Sequence, residues 1–133
     1  MSNSHLLDAS ALLALIFRES GHEMVAAACP AGISAANLSE VVAKLRDRGV
    51  PLLEAATVHL EANLEVIPVS EEVAIKAGGL RDVTRPLGLS LGDRLCLATA
   101  QVGELEVLTA DAAWENLAAD LGIAITNIRP RTT

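Results

Sequence analysis

The sequence predicts an α/β fold of three layers, an α/β/α sandwich with helices on both faces of a mostly parallel central sheet. Short apolar runs alternate with longer stretches of helical periodicity, the pattern of βα units. The chain of 133 residues is long enough for one sizeable core, and 51% of it is apolar. No repeat, low-complexity tract or linker divides it, so 1–133 is expected to form a single domain. The core must be aliphatic, because Phe17 and Trp114 are the only aromatic residues.

Each element follows from local signals. "HLLD" reads as a short strand, followed by the helix "ASALLALIF" and a second helix over "GHEMVAAAC" that stops before Pro30. "GIS" is a short strand, and Ser34 then caps a helix running through Arg48. In that helix Leu38, Val41, Val42 and Leu45 share one face. Gly49 and Pro51 end it and start the next, since Gly suits the position after a helix and Pro its first turn. "LEVIPV" is a strand whose Pro68 marks an edge or an end. Ser70 with Glu71 and Glu72 opens another helix. "DVTRPLGLS" is expected as a loop before the helix headed by "LSLGD". "LEVLTAD" is a strand, "AAWENLAADLG" a helix and "IAITNI" a last strand.

Composition excludes several functions. A net charge of −7 argues against a protein that grips nucleic acid with its whole surface, but leaves room for a local or metal-assisted site. "LLDASALLALIF" is too short to span a bilayer and contains Asp8. It has no basic flank, which argues against a signal peptide. Cys29 and Cys96 lie far apart in Ala-rich helical segments and read as reduced, buried thiols, hence a cytoplasmic protein. His5, His22 and His59 have no ligand spacing and read as surface or packing residues.

Folds of this class bind ligands beyond the carboxyl ends of their strands. Asp8 ends the first strand, Asp111 follows the fourth, Asp93 begins a helix and Glu40 lies early in another. Each has a plain structural explanation. Asp8 and Asp111 suit helix caps, Ser90 and Asp93 match a capping box, and Glu40 and Lys44 match an i, i+4 pair. Together they point further. Three acids stand where strand ends meet helix starts, and helix N-termini favour their ionised form. Carboxylates held close repel unless a cation lies between them. Hard oxygen donors select Mg²⁺ or Mn²⁺, which retain waters and bind substrate phosphates. That is the chemistry of phosphodiester hydrolysis by an activated water.

"LLDASALLAL", "ISAANLSEVVAKL", "LSLGDRLCLATA" and "VLTADAAW" resemble the four motifs of the PIN domain, in order and across nearly the whole chain. The resemblance is nearest to the VapC-type toxin ribonucleases of bacterial toxin–antitoxin pairs. It implies an endoribonuclease using Mg²⁺ or Mn²⁺, with Asp8, Glu40, Asp93 and Asp111 as an acidic quartet. Asp8, Asp93 and Asp111 would hold metal directly, while Glu40 would ligate through water or orient the attacking water. Ser10 and Thr109 match small polar positions that support such acids, or else serve as local caps. Asn37 is expected to satisfy backbone rather than line the cavity. Ala113 stands where a few relatives offer a further acid, which argues against a second ion. Arg81, Arg85 and Arg94 flank the segment before Asp93, either as phosphate contacts or as a solvated loop with an Arg94 salt bridge. Trp114 is assigned to packing rather than base stacking.

Rival functions lack their marks. A haloacid-dehalogenase-like phosphatase needs a second Asp two residues after the first, where this chain has Ser10. A receiver domain needs a phosphoacceptor Asp after the third strand, and "VIPVSEE" has none. A non-catalytic PIN scaffold kept for binding would have a broken quartet. The helices "ASALLALIF", "GHEMVAAAC" and "PLLEAATVHLEAN" carry more apolar surface than one small sheet needs, enough to seat an amphipathic segment of another chain. The resemblance names that chain as a cognate antitoxin and implies a homodimer.

Overall fold

The computed structural model describes residues 4–129. The chain runs β1 (His5–Leu7), α1 (Ala9–Phe17), α2 (His22–Ala28), β2 (Ala31–Ser34), α3 (Ala35–Asp47), α4 (Leu52–Ala55), α5 (Val58–Glu61) and β3 (Leu64–Ile67). It continues through α6 (Glu71–Gly79), α7 (Arg81–Thr84), a 3-10 turn (Arg85–Leu87), α8 (Leu91–Gly103) and β4 (Glu106–Thr109). A second 3-10 turn (Ala112–Leu117), α9 (Ala118–Leu121) and β5 (Ile125–Asn127) complete it.

The five strands order as β3-β2-β1-β4-β5, and every pairing is parallel rather than mostly so. Side chains alternate across a strand, and the core divides accordingly. Leu6 and Val107 face a cluster built on α6 and α8, with Val73, Ala77, Leu97 and Trp114. Their neighbours Leu7 and Leu108 face the opposite cluster, built on α1 to α4, with Leu12, Val25, Val41, Leu45 and Ala55. A sheet buried on both faces tolerates all-parallel pairing. β3 lies at an edge, as Pro68 indicates.

Local signals set most boundaries. Ser34 and Ser70 accept bonds from Ala36 and Val73 and so start α3 and α6. Gly49, at φ +84°, takes the left-handed turn after α3 that a residue with a Cβ adopts at a cost. Three expectations are corrected. "DVTRPLGLS" is not a loop, for it contains α7 and a 3-10 turn that accepts Pro86 near its start. The stretch "PLLEAATVHLEAN" is two short helices, parted where Thr57 Oγ1 donates to the carbonyls of Leu53 and Glu54. "AAWENLAADLG" begins as a 3-10 turn and becomes α-helical only at Ala118.

The topology positions the site. The chain builds outward from β1 to β3, then returns to the other side of β1 to lay down β4. Such a switch opens a crevice beyond the carboxyl ends of β1 and β4, where Asp8 and Asp111 follow their strands. Among the described residues no helix is long and apolar enough to cross a membrane.

Candidate active site

Asp8 is the best-supported side chain at the crevice. It is the N-cap of α1, with Oδ1 accepting from the Ala11 amide at 2.8 Å. The same oxygen accepts from Ser10 Oγ at 2.7 Å, and Oδ2 accepts from Thr109 Oγ1 at 2.6 Å. Thr109 Oγ1 in turn accepts from the Asp111 amide at 3.0 Å, and Ser10 Oγ from the Ala110 amide at 2.9 Å. Ser10 and Thr109 therefore act both as support for a carboxylate and as ties between the ends of β1 and β4. Burial pushes the Asp8 carboxyl up to about 6, against the pull of its donors, with the charge of Asp93 adding to the rise. Desolvation thus outweighs the cap at Asp8, although a carboxyl titrating near 6 is still mostly ionised at neutral pH.

Asp93 heads α8 in a reciprocal capping box. Its amide donates to Ser90 Oγ at 3.2 Å, and its Oδ2 accepts from the Ser90 amide at 3.0 Å. Asp111 caps the second 3-10 turn, accepting from the Ala113 amide at 3.0 Å, and is exposed. Glu40, one turn into α3, accepts from Asn37 Nδ2 at 2.7 Å. The plain capping explanations thus hold, and they hold in one place. Asp8, Glu40, Asp93 and Asp111 line a single cleft of about 240 Å³ with Ala9, Ser10, Leu13, Lys44 and Trp114. A larger hollow of about 490 Å³ lies at the opposite, amino-terminal end of β4, beside Gln101, Glu104 and Glu106. The acids lie elsewhere.

The other candidates separate. Arg94 donates from Nη1 to the Ala77 carbonyl of α6 at 3.1 Å, and among the described residues it forms neither a salt bridge nor part of the cleft lining. Arg81 and Arg85 are exposed and do not line the cleft either. Trp114 is 1% exposed and packs in the core, where it also borders the cleft. His5 and His22 pair with Glu106 and Glu23, and none of the three histidines lines the cleft. Both cysteines are free. Cys96 is fully buried, and its thiol is pushed well up by burial and by the charges of Asp8, Asp93 and Glu40.

Three further contributors exceed the roles expected for them: Lys44 in an ion pair, Asn37 on backbone and Gly92 in none. Lys44 lines the cleft and forms no ion pair with Glu40, although an i, i+4 spacing invites one. Asn37 is 1% exposed and bonds both Glu40 and, at 3.3 Å, the Gly92 carbonyl. Gly92 underlies the Glu40 carboxylate, for a Cβ there would fall 2.6 Å from Glu40 Cδ. The i, i+3 spacing of Asn37 and Glu40 is the only signal for this in the sequence.

The chain matches the PIN domain family model over residues 5–120. The chain belongs to the PIN domain family. A comparison with curated protein sequences finds no match. Among solved structures, this PIN chain is similar to a toxin–antitoxin complex from Klebsiella pneumoniae, with 22% identity and a TM-score of 0.75 over 96% of this chain and 100% of that one. It is also similar to VapBC2 from Rickettsia felis bound to a promoter DNA fragment, at 17% identity and a TM-score of 0.70 over 92% and 97% of the two chains. DNA-bound VapBC from Salmonella typhimurium aligns at 21% identity with a TM-score of 0.68, over 96% and 99%. At these identities the likeness is one of fold.

Residues that could hold a divalent cation fit it in kind. The cleft offers only carboxylate oxygens as strong donors, and Asp93 already raises the Asp8 carboxyl through its charge. Among the described residues no three His, Cys, Asp or Glu side chains form a ready cage. Mg²⁺ does not need one, because it binds through one or two carboxylates and keeps several waters. Asp8 and Asp93 answer that description.

Proposed function

We propose that this PIN chain is a divalent-metal-dependent endoribonuclease that serves as the toxin of a toxin–antitoxin pair. The observation that carries the reading is the convergence of Asp8, Glu40, Asp93 and Asp111 on one cleft beyond the central strands. Asp8 and Asp93 would hold Mg²⁺ or Mn²⁺, with Asp111 at the rim as a third, more exposed ligand. The bound ion would polarise the scissile phosphate and lower the pKa of a coordinated water. The protein's own groups do the rest. Ser10, Thr109 and the Ala11 amide hold Asp8 in one orientation. Glu40 gives Oε1 to Asn37 and keeps Oε2 for orienting the attacking water. Lys44, the one cation lining the cleft among the described residues, is placed to meet a substrate phosphate as a point charge.

The partner reading rests on exposed apolar side chains of the helices that cover one face. Met24 on α2, Leu52 and Leu53 on α4 and Leu60 on α5 are 46%, 58%, 82% and 62% exposed. An amphipathic segment of an antitoxin would cover them, and a second copy of the chain would complete a homodimer. One solved neighbour is itself a toxin–antitoxin complex, and another is DNA-bound VapBC. Asp8→Asn and Asp93→Asn should fold but lose at least about a hundredfold in RNA cleavage, since neutral amides bind hard cations poorly. Brief production of the chain in cells should slow growth and create new RNA ends, and both effects should vanish in Asp93→Asn. Wild-type growth and unchanged RNA ends would overturn the toxin reading.

A further inference from the structure

We propose that Asn37 and Gly92 form a latch that sets the Glu40 carboxylate against the head of α8 beside Asp93, making Asn37 a positioning residue for the reaction. The inference rests on the proposed nuclease function and adds a device that joins two helices across 55 residues of sequence.

The chemistry of the contact fixes the amide orientation. Asn37 Nδ2 lies 2.7 Å from Glu40 Oε1 and 3.3 Å from the Gly92 carbonyl oxygen. Both neighbours are acceptors, so only the NH₂ group can face them. A flipped amide would press three acceptors together. One nitrogen therefore spends one hydrogen on Glu40 of its own helix and the other on tying α3 to α8 at the Gly92 carbonyl. The amide oxygen is buried and has no partner among the described protein atoms. The amide nitrogen is fully committed to the carboxylate and to the neighbouring helix.

Gly92 supplies the seat. A Cβ at this position would lie 2.6 Å from Glu40 Cδ and 2.8 Å from Oε1, and closer still to Oε2. The carboxylate thus lies flat over a backbone position that has room only because the residue is Gly. Gly is otherwise a weak choice inside the first turn of a helix, where Ala is the better former. Asp93 is the next residue, so the seat places Glu40 beside a proposed metal ligand. A side chain with three free torsions would otherwise sweep the cleft, and misplacement by about 1 Å is enough to cost roughly a hundredfold in rate.

Gly92→Ala separates a latch from simple packing. The clash falls on the end of a flexible side chain, so Glu40 should swing away and the fold should survive. Metal-free Gly92→Ala should melt no lower than wild type. It should nevertheless cut RNA in Mn²⁺ roughly tenfold to a hundredfold more slowly, with kcat falling and KM nearly unchanged. The Mn²⁺ concentration giving half of the melting shift should rise severalfold. Asn37→Ala should show the same kinetic loss, and that loss should disappear in a Glu40→Ala background, because both changes remove one function. Wild-type kcat and Mn²⁺ response in both single variants would overturn the latch while leaving the nuclease reading intact. So would an Asn37→Ala loss that adds in full to that of Glu40→Ala. Wild type that neither cuts RNA nor responds to Mn²⁺ would overturn the function and the latch together.

Discussion

Asp8 must be an anion to hold a cation, yet it is 4% exposed, and its surroundings decide the cost. Its folded carboxyl titrates near 6, against 3.8 for the ordinary side chain. The folded state thus holds the proton more tightly than the unfolded chain across that window. Its contribution to stability falls as pH rises through the window and is constant above it. At pH 7 the penalty is on the order of 3 kcal/mol. Asp8→Asn removes the charge and leaves an oxygen for Ser10 and Ala11 and a donor for Thr109. In the absence of metal, the variant should gain on wild type as pH rises from about 4.5 to 7.5, by roughly 2 kcal/mol in urea denaturation. A gap that does not change with pH would contradict the desolvation account. The acids were legible in the sequence because strand ends and helix starts label themselves. Gly92 was not, and Asn37 and Lys44 were legible only as a backbone partner and an ion-pair partner, because the bond from Asn37 to Gly92 arises where α3 meets α8 and no local pattern reports a contact between distant helices.

At the scale of elements, α8 shows how a helix carries a site. Its middle, 95–100, is buried throughout, so it is anchored by packing, while its head stays open to the cleft. The capping box fixes that head. Ser90→Ala should cost about 1 kcal/mol in equilibrium unfolding, and it should also lower RNA cleavage, because the Ser90 Oγ that accepts from the Asp93 amide is lost and the first turn carrying Asp93 loosens. Full activity at reduced stability would mean that the cap and the site are independent. The longer helices and all five strands were readable from periodicity and caps. The short ones were not. Arg81–Thr84 and Arg85–Leu87 hold Pro86 and precede Gly88, residues that usually mark loops, yet a turn or two of helix accommodates both at its ends. Burial of Val73, Ala77 and Leu80 against α8 holds this region in place, and that support is tertiary.

At the scale of the molecule, the acidic cleft and the exposed apolar helices are separate surfaces, so catalysis and partner binding should part under mutation. Leu53→Glu with Leu60→Glu alters two side chains that are 82% and 62% exposed and should change stability by less than about 1 kcal/mol. Their RNA cleavage should match wild type, while co-purification with a co-produced cognate antitoxin should be lost. Retained binding would move the partner to another face. The account as a whole rests on a metal-assisted reaction in this cleft, and the most direct test is cleavage of single-stranded RNA by the purified, folded chain in Mn²⁺ and in EDTA. Cleavage in Mn²⁺ that stops in EDTA and returns when Mn²⁺ is restored is the predicted result; equal cleavage in EDTA, or none in either, would contradict it.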